Sequence, residues 1–330
     1  ELIYEHDEGS PWATLHPDMT RTPLAGCTRL VAVESCAGSQ RLVFETRGTN
    51  QHGFGGRQFR ATTAVVVRTG LDRVDFRLSV EWAEFNHRVR VAFPTPVRGR
   101  HYYGIPYGML ERKPYQPVFS WTGANGDWPA INWAGIQGRT VSVALLNKGL
   151  PSYKVEPHGR GQCILLSVLR SPAIPTYLHE PEYYTMTGYD GMRDEGQHEF
   201  DFALQAYGTA FADSSVVADS ETYNSGLLAV QGRVHCPALP VIESSNVRIS
   251  AVKWAESGNA LIVRVQEYRG RSGHARVSIP AGVRRVQKVN LLERAGEDLP
   301  VTDGSVTLEL GPWKLATLRM SMSATSKKRA

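Results

Sequence analysis

The sequence predicts an all-β protein, on three observations: period-two alternation of apolar and polar residues in its clearest runs, dense Gly and Pro punctuation, and scarce helical patterning. Val74, Phe76, Leu78, Val80 and Trp82 alternate with Asp75, Arg77, Ser79 and Glu81. Successive side chains of a strand point to opposite faces, so this run reads as a long half-buried strand. Val89, Val91 and Phe93 repeat the pattern and stop at Pro94-Thr95-Pro96. Near the end, Val306, Leu308 and Leu310 alternate with Thr307 and Glu309 before Pro312, with Asp303-Gly304 ahead of them as a turn signal. The 31 Gly and 19 Pro recur at short intervals, as antiparallel sheets joined by turns require. One short helix is expected within Asp213 to Ser225, where Val216, Val217, Ser220 and Tyr223 fall near one face.

A chain of 330 residues exceeds one ordinary hydrophobic core, so two domains are expected. Strand patterning pauses at Pro237-Ala238-Leu239-Pro240. A linker there divides a large β domain over 1–236 from a smaller sandwich over 241–320, with 321–330 read as a disordered tail. Hydrophobic residues are 42% and charged residues 21%, a globular composition. The longest apolar runs, such as Ala64 to Val67, are too short to span a membrane. The opening at Glu1, without Met or an apolar leader, reads as a cut. None of the nine Asn residues lies in an Asn-x-Ser/Thr sequon, which with the missing leader points to the cytoplasm. The net charge is +5, but Lys327, Lys328 and Arg329 supply three of those charges. The other basic residues alternate with acids, so the concentrated basic surface that nucleic acid needs is not expected.

Cys27, Cys36, Cys163 and Cys236 form no CxxC pair and have no His at zinc-finger spacing. They read as buried free thiols, with a Cys27–Cys36 bridge across a hairpin as the alternative. A hydrolase site needs a nucleophile, a base and an oxyanion donor within reach of one another. The chain has no GxSxG elbow, no HExxH and no P-loop, and Gly53-Phe54-Gly55-Gly56-Arg57 precedes no helix that could cradle a phosphate. His198 and Glu199 are neighbours on an expected strand and point to opposite sides. Asp190, Asp194 and Glu195 read as a solvated loop. No catalytic residue and no metal ligand is assigned in this chain. Aromatic density is more suggestive, with Tyr102, Tyr103, Tyr107, Tyr115, Phe119, Trp121, Trp128 and Trp133 close in sequence. Amphipathic rings can cover an apolar sugar face, although core packing accounts for such residues equally well. Asp127-Trp128, between Gly126 and Pro129, is the candidate substrate-binding pair, with Trp128 as the exposed ring.

Several segments in order resemble the C-terminal β region of glycoside hydrolase family 38 α-mannosidases. They are Trp82 to Pro94, Tyr107 to Arg112, Val143 to Gly149, Leu169-Arg170-Ser171-Pro172 followed by His198-Glu199-Phe200, Leu291 to Arg294, and Gly311 to Arg319. The resemblance implies a large β-supersandwich, similar to the galactose mutarotase-like fold, followed by a smaller C-terminal β-sandwich. It implies a retaining α-mannosidase in which zinc, held by His and Asp, binds the mannose hydroxyls, an Asp is the nucleophile and a second carboxylate the acid/base. Those residues lie upstream in the family and none maps onto this chain, so zinc is implied for the full enzyme and no cofactor for this chain. The implied partners are an α-mannoside and an N-terminal catalytic domain, and a β region without that partner would expose an apolar face and self-associate as a homo-oligomer. Arg170, just after an apolar strand, is the residue expected to contact substrate, with a structural ion pair as the alternative. The stretch from Ile174 to Gln197 is longer and richer in Tyr than the family pattern. A free-standing carbohydrate-binding module and a mutarotase-like sugar epimerase are the alternatives in function. The epimerase needs a His and a carboxylate converging across strands, which no spacing here shows.

Overall fold

A computed structural model describes residues 1–7, 20–49, 59–84, 87–114, 127–172, 194–226, 229, 231–232, 239–294 and 296–323. It divides into two compact units, one of residues 1–105 with 109–226 and one of 106–108 with 227–330. Strands dominate both. Among the described residues no helix is long and apolar enough to cross a membrane.

The first unit is a sandwich of two antiparallel sheets. One sheet has six strands, in the spatial order Trp128–Pro129, Ser152–His158, Gly161–Ser171, His87–Thr95, Leu2–His6 and Arg21–Pro23. The other has nine, in the order Thr28–Cys36, Ser39–Gly48, Phe59–Arg68, Arg73–Trp82, Gly196–Tyr207, Ser142–Asn147, Trp133–Gln137, Arg100–Ile105 and Gly108–Arg112. Their facing sides make one core. Leu2, Tyr4, Val89, Val91, Phe93, Ile164 and Leu166 come from the first sheet, and Leu78, Val80, Trp82, Ile136, Leu145 and Phe202 from the second. Each such side chain contributes about 1.5–3 kcal/mol by leaving water. The alternation read from Val74 to Trp82 and from Val89 to Phe93 is this inward face. Where Leu2, Phe44, Phe93 and Phe202 converge, the core leaves an apolar cavity of about 330 Å³ whose lining also includes Leu30 and Thr63.

The outer face of the nine-stranded sheet carries the one described α-helix, Val216–Asn224, inside the expected span. Val216, Tyr223 and Phe211 pack there on Trp133, Leu146 and Tyr207. Gly135 lets Phe211 approach, since a Cβ at this position would lie 2.6 Å from the Phe211 ring and 2.6 Å from the Val143 carbonyl oxygen. Neither a strand carbonyl nor a packed ring can yield that much. Gly135→Ala is therefore expected to lower stability by about 1–3 kcal/mol, read from the urea unfolding midpoint. The apolar strand ending in Leu145-Leu146-Asn147 is closed by Asn147, whose Oδ1 accepts from Leu150 N at 2.9 Å while its Nδ2 donates to the Tyr153 hydroxyl.

The second unit pairs a three-stranded sheet (Ile242–Glu243, Gly273–Ser278, Ser305–Leu310) with a five-stranded one (Val247–Trp254, Ala260–Glu267, Leu315–Met322, Val283–Val289, Glu297–Asp298). Val263, Val265, Val277, Val306, Leu308, Leu318 and Met320 form its core. The expected turn at Asp303-Gly304 has both residues at positive φ, 49° and 66°, as a two-residue hairpin turn of the primed type requires.

The Cys27–Cys36 bridge is corrected by this architecture. The hairpin turns at Ala37-Gly38, so the two thiols stand at opposite ends of one strand, far beyond the few ångströms a disulfide spans, and Cys27, Cys36 and Cys163 are free. Only Cys163 of these is buried as expected; Cys36 is exposed, and Cys236 lies outside the described residues. Also outside them are Gly53 to Arg57, Asp190, most of the Tyr-rich stretch and the final residues of the tail.

Candidate functional site

The outward side of the six-stranded sheet is a buried ionic face. Period two that sends Val89 and Val91 into the core sends Arg88 and Arg90 the other way, and both guanidinium groups are nonetheless buried, at 1% and 0% exposure. Antiparallel pairing of Leu2–His6 with His87–Thr95 sets Glu5 opposite Arg88. Arg88 Nε donates to Glu5 Oε2 at 2.7 Å, and Arg88 Nη1 donates to Asp127 Oδ2 at 2.6 Å. Arg90 donates to the same Asp127 oxygen through Nη2, and its Nε lies 3.1 Å from Glu5. Arg21 reaches in from the edge strand, 2.8 Å from Glu5 and 2.7 Å from Glu156, and Lys154 flanks Glu156 at 3.5 Å. Four cations thus surround three carboxylates.

Such a cluster holds position and does not move protons. Burial pushes the Asp127 carboxyl upward, but the charges of Arg90 and Arg88 outweigh it and hold the group below the usual carboxylate range. Glu156 is likewise held low, burial being overcome by the hydrogen bond and charge of Arg21. A glycosidase acid needs a carboxyl raised toward neutrality, the opposite perturbation. Asp127 and Glu156 therefore suit clamping or hydrogen-bonding a neutral hydroxyl, not protonating a leaving group.

Two of the three sequence-assigned site residues meet here. Asp127 is clamped as described. Arg170 pairs across the sheet with Arg88, a bulge at Ser167/Leu169 bringing its side chain onto the same face. Its guanidinium is ion-paired with the wholly buried Asp7 through both Nε and Nη2, the ion pair left open as an alternative. Trp128 is not the exposed ring that was expected. It pairs with Tyr153 in a short strand, packs on the inner core half-buried, and lies under Arg112, 4.5 Å from guanidinium carbon to ring centre. Among the aromatic neighbours, Tyr103 and Trp133 are core, while Tyr107 is exposed and Tyr115, Phe119 and Trp121 lie outside the described residues. His198 and Glu199 do sit on one strand, and His198 Nε2 lies 2.7 Å from the Asp194 carbonyl. Glu5, Arg88 and Arg90 were missed by sequence reasoning. Alternating Arg on a strand is the signature of a wet face, and the buried acid that pairs with them comes from a strand more than 80 residues away.

These groups fix the response to acid. The folded Asp127 and Glu156 carboxyls are lower than in the unfolded chain, so their contribution is present above the unfolded carboxylate range and is lost as pH falls through it. His101 is pulled down by burial, although Gln162 hydrogen-bonds its Nε2 at 2.7 Å. The unfolded chain takes up that proton near pH ~6.5 while the fold refuses it. Melting temperature is thus expected to fall in two stages on acidification, the first beginning near pH ~6.5 and removed by His101→Phe, the second below about pH 4. Calorimetry from pH 8 to pH 3 reads both, and a melting temperature rising toward pH 5 would contradict the assignment.

Two family models cover the chain in order. Residues 7–177 match the glycosyl hydrolases family 38 C-terminal domain, a span that holds Arg88, Arg90, Asp127 and Arg170. The chain belongs to glycosyl hydrolase family 38. Residues 246–318 match the family 38 C-terminal beta sandwich domain, so the family's C-terminal region is what this chain represents. It is 28% identical over 270 residues to alpha-mannosidase 2C1 of Homo sapiens, covering 78% of this chain and 24% of that protein. Against alpha-mannosidase G of Dictyostelium discoideum it is 24% identical over 266 residues, covering 77% and 23%. It spans about a quarter of the length of these relatives. The crystal structure of an alpha-mannosidase from Enterococcus faecalis V583 superposes with a TM-score of 0.71 at 16% identity, covering 97% of this chain and 38% of that one, which shows the shared fold. Family 38 α-mannosidases are generally zinc-dependent. Among the described residues, no three His, Cys, Asp or Glu side chains converge as metal ligands must.

Proposed function

We propose that this chain is the non-catalytic C-terminal β region of a larger retaining α-mannosidase, needed for the fold of the whole and for the shape of the substrate pocket. The supporting observation is the ordered match of both family 38 C-terminal models to a chain spanning about a quarter of its relatives. On this reading the nucleophile, the acid/base and the zinc site belong to an upstream catalytic domain, which is this chain's partner in binding a terminal α-mannoside. Arg170 is the residue assigned to a sugar hydroxyl. Its guanidinium is partly exposed while Asp7 anchors two of its nitrogens, so the fork is held in place before substrate arrives. Asp127 and Trp128 support that wall, Asp127 through Arg88 and Trp128 through the inner core. The domain division proposed is 1–236 and 241–320.

A split-protein experiment tests this. The upstream catalytic region and residues 1–330, produced as separate chains and then combined, are expected to hydrolyse a chromogenic α-mannoside only together. Equal hydrolysis by the upstream region alone would remove the proposed role.

A further inference from the structure

Among the described residues the strand Thr28–Cys36 is an edge of the nine-stranded sheet, and we infer that it is a dimerisation edge, pairing antiparallel with the same strand of a second copy of this chain. A nine-residue edge is a template for another strand unless charge, a bulge or cover blunts it. Here Leu30, Val31 and Val33 are exposed at 51%, 48% and 64%, and the two exposed charges of the strand, Arg29 and Glu34, are of opposite sign. The exposed Leu30 also lines the apolar cavity of the first unit, so covering it removes more than one side chain from water.

The occupant is set by self-complementarity. In the register that places Val31 opposite Ala32 of the second copy, Leu30 faces Val33 and Arg29 faces Glu34, twice over by symmetry. For those pairs to meet, Arg29 and Glu34 must lie on one side of the sheet and Leu30 and Val33 on the other. Residues five apart on a regular strand point to opposite sides, and Leu30 and Val33, three apart, do so as well. The bulge between Leu30 and Ala32 adds one residue and reverses both. Accordingly Arg29 bonds Glu45 at 2.7 Å and Glu34 bonds Arg41 at 2.8 Å, and Glu45 and Arg41 share a face of the next strand. Leu30 and Val33 pair with Phe44 and Leu42, which share the other face. Docking a second copy then builds a ladder of alternating charge, Glu45, Arg29, Glu34 and Arg41, the last two from the second copy. An apolar ladder of Phe44, Leu30, Val33 and Leu42 forms on the opposite face. Cross-strand pairs of both kinds stabilise sheets, and like charges directly opposite destabilise them.

Sedimentation equilibrium of the full-length protein across a hundredfold concentration range tests this. A dimer is expected, with Val33→Lys shifting the protein to monomer because it sets a cation in the apolar ladder. Arg29→Glu and Glu34→Arg are each expected to be monomeric, since each places like charges opposite in the symmetric pair. Mixing these two variants restores both charge pairs, and a one-to-one heterodimer is expected to form, which a variant damaged in folding would not do. A wild-type monomer throughout, a dimer undisturbed by Val33→Lys, or a mixture that stays monomeric overturns the inference. So does a monomer whose amides 29–34 are protected from exchange, which would mean that another segment occupies the edge.

Discussion

Arg88→Met is expected to lower the stability of the first unit by about 3–5 kcal/mol, the cost of breaking a buried ion pair from one side. The loss does not come chiefly from the Arg–Glu attraction. Methionine fills most of the space, but Glu5, wholly buried, and Asp127 are left with fewer donors. An uncompensated buried carboxylate is more costly than the pair was favourable. A comparison decides between these terms. Arg77 makes an equally well-formed bidentate pair with Asp201, at 2.9 and 3.1 Å, but its side chain is 61% exposed. Arg77→Met is expected to cost under about 1 kcal/mol because water screens that pair. Chemical denaturation of both variants reads the difference. Equal losses would mean that burial is not what sets the value. Adding Glu5→Gln to Arg88→Met removes one stranded charge and is expected to recover part of the loss.

Glu267→Ala is expected to cost the second unit about 4 kcal/mol, from backbone donors left without an acceptor. The Glu267 carboxylate is wholly buried and accepts from Arg269 N at 2.8 Å, Gly270 N at 2.9 Å, Trp313 N at 2.8 Å and Asn246 Nδ2 at 3.1 Å. It ties the turn after its own strand to the loop that precedes Leu315–Met322. Glu267→Gln keeps the size and one oxygen but turns an amide NH2 toward amide donors. It is expected to recover less than half of the loss. Thermal unfolding of the two variants separates lost volume from lost acceptors, and full rescue by Gln would show that volume dominates.

The β architecture was legible because its cause is local. Alternation at Val74 to Trp82, the stop at Pro94 and the Asp303-Gly304 turn each depend on residues within one element. The buried ionic face was not legible, because its cause is distant in sequence. Glu5 meets Arg88 only after two strands pair, and nothing within His87 to Thr95 separates a wet arginine from one clamped by buried acids. Trp128 was misjudged for a similar reason. Its Gly and Pro neighbours suggested a loop tip, but pairing with Tyr153 turns the ring inward beneath Arg112. The hairpin suggested by Cys27 and Cys36 failed on length, since the strand runs nine residues before it turns. The family resemblance rested on short segments whose role is now visible in Asn147, which closes the strand end it occupies.

Hydrolysis of a chromogenic α-mannoside by the purified chain, with and without added zinc, tests the central claim most directly. The account predicts no turnover in either condition, because arginines hold Asp127 and Glu156 below the usual carboxylate range and the nucleophile, acid/base and zinc site are assigned to the upstream domain. Zinc-dependent turnover that co-purifies with the chain and is lost on its removal would contradict the claim and place a catalytic site within these 330 residues.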